Sequence, residues 1–282
     1  MQGRQNSRSQ NRLYLYRTES CIECLHLVNS LKEHHARLHP REIKLIQVIA
    51  TSTTLLRTLP TMQQQFILSR NIEDVDWDPL FVIDYKCFKD SPEIAAFFPG
   101  GLDPTYRAAN IKGLQIGVFG GPAERAYAKL SDSHSGVITS FISGQVWRSP
   151  SGPFDGGRPP PINLPRIENK EDRAFFEWFW NSNQDTMYSL KELQAPLVYI
   201  QALGTDPEWQ RRGAATILMN WILDFTAKEK IGRCVLQASK TAVEMGFYEK
   251  FGFSVIDKRI FVDEDRFPGR AGIPVVTMIK YF

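Results

Sequence analysis

The stretch from Gly204 to Ala215 reads G-T-D-P-E-W-Q-R-R-G-A-A and decides the fold of the chain. It follows a strand-like apolar run at 197–203, L-V-Y-I-Q-A-L, and it leads into a segment whose apolar residues recur at helical spacing through Phe225. A strand that turns directly into a helix exposes unpaired backbone N–H groups at the positive end of the helix dipole. Such a junction predicts a binding site for an anion.

The side chains at this junction favour a pyrophosphate in particular. Gly213 and the two alanines that follow it carry almost no side chain, so the phosphates of a ligand can approach the main chain closely. Arg211 and Arg212 add two positive charges beside the same backbone. We therefore interpret this junction as a phosphate cradle between a strand and a helix.

The composition of the 282 residues is typical of a soluble globular protein. Apolar residues make up 43%, enough for a packed core, and no run approaches the roughly 18 apolar residues of a membrane helix. The N-terminus lacks the apolar stretch of a secretory signal, and four cysteines do not indicate a disulfide framework. We expect a cytoplasmic protein, with the nucleus as an alternative. A mitochondrial location is a further alternative, because residues 1–20 are rich in Arg and poor in acidic residues.

Charge divides the chain into two parts. Residues 1–61 hold nine Lys and Arg against four Asp and Glu, whereas residues 62–282 hold 25 against 27. The first part has no sustained hydrophobic period, and its first 20 residues have a composition typical of disorder. We predict a basic, disordered N-terminal extension at 1–61 and one domain at 62–282, with Met62 as an alternative start of the functional protein.

Four residues of the extension, Cys21, Cys24, His35 and His39, have the spacing C-x2-C-x10-H-x3-H. A zinc finger that binds nucleic acid has about C-x2-C-x12-H-x3-H and a strand-strand-helix pattern, which is not evident here. We interpret the spacing as a chance occurrence and expect no metal site. A zinc-dependent nucleic-acid-binding protein is the alternative, and it predicts an affinity that falls steeply with salt.

Periodicity and turn residues predict alternating strands and helices within 62–282. Asp78 is expected to cap the first helix with Pro79 as its first residue, and Gly232 is expected to end the helix that follows the cradle. The Pro- and Gly-rich stretch 148–166 predicts a long loop inserted in the domain. The expected strands are 65–70, 126–130, 137–147, 197–203, 234–238, 253–256 and 275–279. The other helices are expected near 106–112, at 170–180 and from Thr241 to Gly252.

Two groups of apolar residues have a structural interpretation. The aromatic run F-F-E-W-F-W at 175–180 could line an acceptor pocket, but aromatic residues at this density more often belong to a core or a subunit contact. Cys87 and Cys234 stand among apolar neighbours and are interpreted as small core residues.

Three segments of the second half of the domain form a specific pattern. They are Q-R-R-G-A-A at 210–215, A-S at 238–239 and F-Y-E-K-F-G-F at 247–253. Together they resemble the acetyl-CoA-binding half of a GNAT-type N-acetyltransferase. The glycine element alone is a weak signal, but its combination with Y-x-K-x-G-F one helix and one strand later is strong. The upstream segments Q-F-I-L-S-R, K-C-F-K-D-S-P and G-V-I-T-S-F fit as well, so the resemblance covers about residues 62–282.

The resemblance implies an α/β fold of the GNAT type, a mixed and mostly antiparallel sheet with helices on both faces. Acetyl-CoA would bind where the middle strands part and would act as the co-substrate. The implied reaction is direct transfer of the acetyl group to an amine, on a small molecule or a peptide, in a ternary complex. Neither a membrane nor a nucleic acid is an expected partner. The acceptor, the length of the acyl group and the oligomeric state stay open, and a catalytically inactive acyl-CoA-binding module is the main alternative.

The resemblance also implies which residues bind the coenzyme. The backbone groups of Leu203 and Thr205 would bind the pantetheine arm, and the Leu203 N–H would polarise the thioester carbonyl. Ser239 matches a polar position near the same arm. Six consecutive residues would present main-chain amides to the pyrophosphate: Gln210, Arg211, Arg212, Gly213, Ala214 and Ala215.

For catalysis, Tyr248 matches the tyrosine that protonates the departing thiolate, a task that suits a phenol with a pKa near 10. Asp206 is our candidate for the general base, because some relatives carry a histidine just beyond this strand, although Asp-Pro is also a common turn former. Tyr199 and Gln201 stand at strand positions that carry bases elsewhere in the family. Deprotonation of the acceptor through a chain of water molecules is a further alternative.

Overall fold

A computed structural model of the chain describes residues 65–116, 124–148, 161–193, 196–238 and 246–282. All of them belong to one compact unit that spans Met62–Phe282. The expected extension at 1–61, with its Cys and His spacing, lies outside the described residues. Ser239 and most of the loop at 148–166 also lie outside them, so these interpretations stay predictions.

The described residues form a seven-stranded sheet in the order β1-β2-β3-β4-β5-β7-β6. Neighbouring strands are antiparallel except for β4 and β5, which run parallel. This mixed, mostly antiparallel sheet confirms the predicted fold class. The strands are β1 (Phe66–Ser69), β2 (Glu124–Asp132), β3 (Ile138–Trp147), β4 (Leu197–Thr205), β5 (Arg233–Ala238), β6 (Ser254–Phe261) and β7 (Ile273–Tyr281).

Helices cover both faces of the sheet. Consecutive strand residues point to opposite faces, and on β3 Ile142 joins the core formed with the last long helix, whereas Phe141 joins the core formed with the first helix. No helix in the described ranges combines the length and the apolar composition needed to cross a bilayer. The α-helices are α1 (Trp77–Phe88), α2 (Pro92–Ala95), α3 (Pro104–Ile116), α4 (Lys170–Ser189) and α5 (Ala214–Lys228).

α1 begins two residues earlier than the expected first helical residue, Pro79. Glu73 and Asp76 form a capping box around a short 3₁₀ turn, and the Glu73 N–H donates to Asp76 Oδ2 at 2.7 Å. This turn leads directly into Trp77, the first residue of α1. The capping interaction therefore lies one turn before the Asp78-Pro79 pair that the sequence favours.

α5 ends at Lys228, before the predicted stop at Gly232. Lys230 adopts a left-handed conformation with φ of 56°, and two hydrogen bonds close the helix behind it. The Lys230 N–H donates to Ala227 O and the Ile231 N–H donates to Thr226 O, both at 3.1 Å. This is the Schellman arrangement with lysine in the place that glycine usually takes.

α4 is longer than the predicted 170–180 and buries part of the aromatic run as expected for a core. The Asn169 side chain caps α4 by accepting from the N–H groups of Glu171 and Asp172. Phe175 and Phe179 are buried in a cluster with residues of β6 and β7. The run therefore joins α4 to the far edge of the sheet.

Candidate active site

β4 and β5 are paired over only part of their length. Val198 pairs with Cys234 and Ile200 pairs with Leu236. Beyond Ile200, β4 continues along β3 as far as Thr205, while β5 continues along β7. Within the described residues, the second half of β4 therefore has no strand on its β5 side, and a cleft opens between the two parallel strands.

A β-bulge in β4 lies at the start of this cleft. Ser143 of β3 pairs with Ala202, and the next residue of β3 pairs with Ile200, so Gln201 is the extra residue. Ile200 and Leu203 both contact the core on the α5 side, whereas Ala202 contacts the core on the α1 side. The bulge therefore turns two consecutive side chains, Gln201 and Ala202, toward α1.

The backbone between β4 and α5 is bent in a way that exposes its N–H groups. Arg211 and Gly213 have left-handed φ values of 61° and 85°, and successive N–H groups in such turns converge on an anion. The Ile217 N–H donates to Gly213 O at 3.1 Å and is the first to make a helical bond. The N–H groups of 211–215 donate to no acceptor among the described residues, so the chain presents five consecutive free donors.

The side chains of the cradle are arranged around these free donors. Gln210 folds back, and its Nε2 donates to Thr205 O at 3.2 Å. Arg212 lies over the ring of Trp209, 4.6 Å from its centroid, and donates to Glu208 O at 3.1 Å. Arg211 is exposed. One guanidinium is therefore held against the turn, and the other is accessible to a ligand.

Thr205, at the end of β4, carries a polar atom that lacks a partner. Its carbonyl accepts from Gln210 and from the Cys87 thiol, with 3.3 Å between Cys87 Sγ and Thr205 O. Its Oγ1 is buried and has no hydrogen-bond partner among the described residues. Cys87 is half-buried and packs against the core of Leu80, Ile83 and Phe141, so it lies at the edge of the core. Cys234 is fully buried as expected.

Tyr248 lies on the same side of the sheet as the cradle. Leu203 and Tyr248 contact the apolar core to which Ala214 belongs. The Tyr248 ring packs edge-on against Phe247, with centroids 5.0 Å apart. Burial raises the pKa of Tyr248 to about 12, and its hydroxyl has no hydrogen-bond partner in the ranges that the structure describes. The phenol is therefore protonated at neutral pH and has a proton to donate.

Comparison with known proteins identifies the family of part of the chain. Residues 167–282 match the family model of an acetyltransferase (GNAT) domain. This part of the chain is a GNAT domain. Its cradle, the cleft between β4 and β5, and Tyr248 all lie within the matched residues. No curated protein matches the sequence.

Two solved structures have a fold similar to that of the chain with its GNAT domain. One is a mutant agmatine N-acetyltransferase in its apo form, with a TM-score of 0.51 at 11% identity; the match covers 77% of this chain and 100% of that one. The other is a polyamine N-acetyltransferase of Drosophila melanogaster that forms N-acetylagmatine. It has a TM-score of 0.51 at 12% identity and the same coverage. At these identities the similarity is one of fold.

The three candidate bases on and just after β4 either bind other groups or lack a basic atom. Asp206 caps a 3₁₀ turn, and its Oδ1 and Oδ2 bind the Glu208 N–H and the Lys86 ammonium. The Tyr199 hydroxyl donates to the Gln237 side chain at 3.4 Å, and burial raises its pKa. Gln201 has a neutral amide, which does not take up a proton near pH 7.

A carboxylate that the sequence analysis did not select lies on α1. Asp84 is 3% exposed, and its side chain makes no hydrogen bond or ion pair with any described residue. Burial raises its pKa from 3.8 to about 7. Its sequence signal was an acidic residue inside an apolar helical stripe, four residues after Leu80 and three before Cys87. A buried carboxylate with this pKa is suited to exchange a proton at neutral pH.

Proposed function

We propose that the chain is an acetyl-CoA-dependent N-acetyltransferase that transfers the acetyl group directly to an amine. The run of free N–H groups at 211–215 carries this proposal, because it adjoins the cleft where β4 leaves β5. A pyrophosphate bound there would lie at the N-terminus of α5, where the helix dipole favours negative charge. Gln210, at the start of the cradle, supports the turn through its bond to Thr205 O.

Acetyl-CoA fits the residues around the cleft. Arg211 is accessible beside the free N–H groups, and Ala214 and Ala215 leave room for phosphates. The unpaired edge of β4 offers backbone groups to the amides of an extended pantetheine arm, in the way that a strand edge binds a peptide. The Thr205 Oγ1, which has no hydrogen-bond partner among the described residues, lies at the end of the same edge. Ser239 stays a predicted contact of the arm.

The chemistry assigned to the protein is electrostatic and acid-base. Acetyl-CoA supplies a reactive thioester. The Leu203 N–H is proposed to donate to the thioester oxygen as negative charge develops on it. Tyr248 is proposed to give its proton to the departing sulfur, a task that its raised pKa favours because the phenol is fully protonated in the resting protein.

Calorimetry and a thiol-release assay test this proposal together. The full chain is titrated with acetyl-CoA and then assayed with arylalkylamines, amino acid amides, peptides, and the agmatine and polyamines named for the two proteins of similar fold. We expect saturable binding of acetyl-CoA and thiol release with at least one amine class. The absence of heat with acetyl-CoA would overturn the proposal. Binding without thiol release from any amine would favour the inactive acyl-CoA-binding module.

A further inference from the structure

Two buried glutamines on the sheet have side-chain atoms without hydrogen-bond partners. Gln145 on β3 is 0% exposed, and neither its Oε1 nor its Nε2 has a partner among the described residues. The Nε2 of Gln201 is also buried and without a partner. Buried amides in folded proteins are almost always hydrogen-bonded, since an unpaired one destabilises the fold. Two such exceptions lie on neighbouring strands, and each leaves polar atoms that a ligand could pair with.

Both glutamines face the side of the sheet that carries α1 and α4. Gln145 pairs with Tyr199 across β3 and β4, and paired residues share a face. Tyr199 belongs to the core that contains Met187 of α4. The bulge turns Gln201 toward the same side, as described above. The orphan amides therefore lie between the sheet and the helices opposite α5.

Asp84 lies on the helix that packs over this face of the sheet. The face of α1 that packs on the sheet includes Leu80, Ile83 and Cys87. Because residues are spaced by about 100° around a helix, Asp84 and Lys86 lie on opposite flanks of that face. Lys86 reaches Asp206 beyond the end of β4. Asp84 is consequently on the other flank of this face, away from Lys86.

Neighbouring amides on the same face are fully paired. Asn183 and Gln237 exchange two hydrogen bonds of 2.9 Å, and Gln237 Nε2 is also 3.3 Å from Thr277 Oγ1. The fold is thus able to satisfy amides between the sheet and α4. Gln145 and Gln201 differ from these residues in having unpaired atoms.

We propose that Asp84, Gln145 and Gln201 form the acceptor subsite of the acetyltransferase, and that its substrate is a small primary amine with one ammonium group and a neutral hydrogen-bonding group. The inference rests on the proposed function. Asp84 supplies one negative charge, whereas Asp76 before α1 and Asp206 after β4 are each paired with a lysine. The glutamine amides suit a hydroxyl, carbonyl or amide group of the acceptor. The near-complete burial of Asp84 and Gln145 favours a small molecule over a protein chain.

Asp84 has a defined part in the transfer. It takes one proton from the acceptor ammonium, and the neutral nitrogen then forms a bond to the acetyl carbon. The bond from that carbon to sulfur breaks, and sulfur keeps the electron pair and receives the Tyr248 proton. The second proton leaving nitrogen restores the Tyr248 hydroxyl, and Asp84 releases its proton to solvent. The titratable side chains on α1 and on the elements that pack against it, besides Asp84, are Asp74, Asp76, Asp78, Tyr85, Lys86, Cys87, Glu93, Tyr106, Arg107, Lys112 and Tyr199.

Substitution of the orphan amide separates a binding role from a structural one. Gln145→Met keeps the shape and removes the unpaired polar atoms, so we expect a higher melting temperature. We also expect the acceptor KM to rise about tenfold, the loss of one or two hydrogen bonds, with the affinity for acetyl-CoA unchanged. Gln237→Met is the matched control: it breaks paired amides, so it should lower the melting temperature and leave the acceptor KM within about twofold of the wild type.

Chemically matched amines test the substrate class. Glycinamide has one ammonium and a neutral amide, ethylamine lacks the amide, and putrescine has two ammonium groups. We expect the wild type to have its highest kcat/KM with glycinamide. Gln145→Met and Gln201→Met should each reduce the ratio of kcat/KM for glycinamide to that for ethylamine about tenfold. A wild-type preference for putrescine, or an unchanged glycinamide advantage in both variants, would overturn the subsite.

Substitution of Asp84 tests the proton acceptor. Asp84→Asn should lower kcat/KM about 100-fold at pH 8 and remove the acidic limb of its pH profile, with acetyl-CoA binding intact. Asp90→Asn, at an exposed position after the end of α1, is the control and should change neither kcat/KM at pH 8 nor the acidic limb. A retained acidic limb in an active Asp84→Asn protein would overturn this role alone. A wild type that does not bind acetyl-CoA would overturn the proposed function as well.

Discussion

Lys86 and Asp206 join α1 to the end of β4 by an ion pair, with 2.7 Å between Nζ and Oδ2. The hydrogen bond to Asp206 raises the pKa of Lys86 above its ordinary value. The other oxygen of Asp206 accepts the Glu208 N–H at 3.1 Å. Asp206 therefore fixes the start of the cradle and the position of α1, and each of its oxygens already has one partner.

Asp206→Asn should affect stability more than the pH dependence of catalysis. The ion pair is partly exposed, so its loss should cost about 1 kcal/mol in the free energy of unfolding. The acidic limb of kcat/KM should keep its midpoint, because the proposed base is Asp84. Urea unfolding and a pH profile of kcat/KM measure the two effects. Loss of the acidic limb in Asp206→Asn would return the base role to this residue.

Tyr248→Phe should lower kcat about 100-fold and leave the dissociation constant of acetyl-CoA unchanged. The variant keeps the ring that packs against Phe247 and removes only the proton donor. Because burial raises the pKa of Tyr248 to about 12, the wild-type kcat should not fall through loss of this proton below pH 10. Tyr281→Phe, at an exposed tyrosine, is the control for steady-state rates. Full activity in Tyr248→Phe would exclude the acid role.

Gly213→Ala tests whether the bent backbone of the cradle is needed for coenzyme binding. Gly213 has a φ of 85°, where an added Cβ costs about 1–2 kcal/mol. We expect reduced stability together with weaker acetyl-CoA binding. Gly136→Ala is a matched control, since Gly136 has a φ of 72° and an added Cβ would meet no atom within 4 Å. Equal acetyl-CoA affinities in the two variants would argue against the cradle.

Asp84 should make the stability of the wild type fall as pH rises toward neutrality. Its pKa is about 7 in the folded protein against an ordinary value of 3.8, so between these values the folded state holds a proton that the unfolded state has released. The free energy of unfolding then decreases with pH by up to about 1.4 kcal/mol per pH unit. Asp84→Asn lacks this dependence and should be the more stable protein at pH 8. Parallel stability curves for the two proteins from urea unfolding at pH 4 to 8 would contradict the burial effect.

The strand-to-helix junction at 204–215 could be predicted because its signals are local. A strand pattern, a glycine and a helical period follow one another within a short stretch, and each depends on near neighbours. The roles of Asp206 and Asp84 depend on partners far away in sequence. Lys86 is 120 residues from Asp206, and that Asp84 has no partner among the described residues is visible only when α1 is packed on the sheet. The bulge at Gln201 is likewise a property of a strand pair and not of one strand.

The bulge acts as a phase shift in an alternating pattern. If β4 kept Gln201 but ran on without a bulge, Leu203 would turn to the α1 side and Ala202 to the α5 side, and both apolar layers would lose their fit. Deletion of Gln201 itself would restore the regular alternation and keep every later residue of β4 on its present face. Related genes should therefore conserve the apolar facing of the residues after the bulge more strictly than the presence of a residue at Gln201.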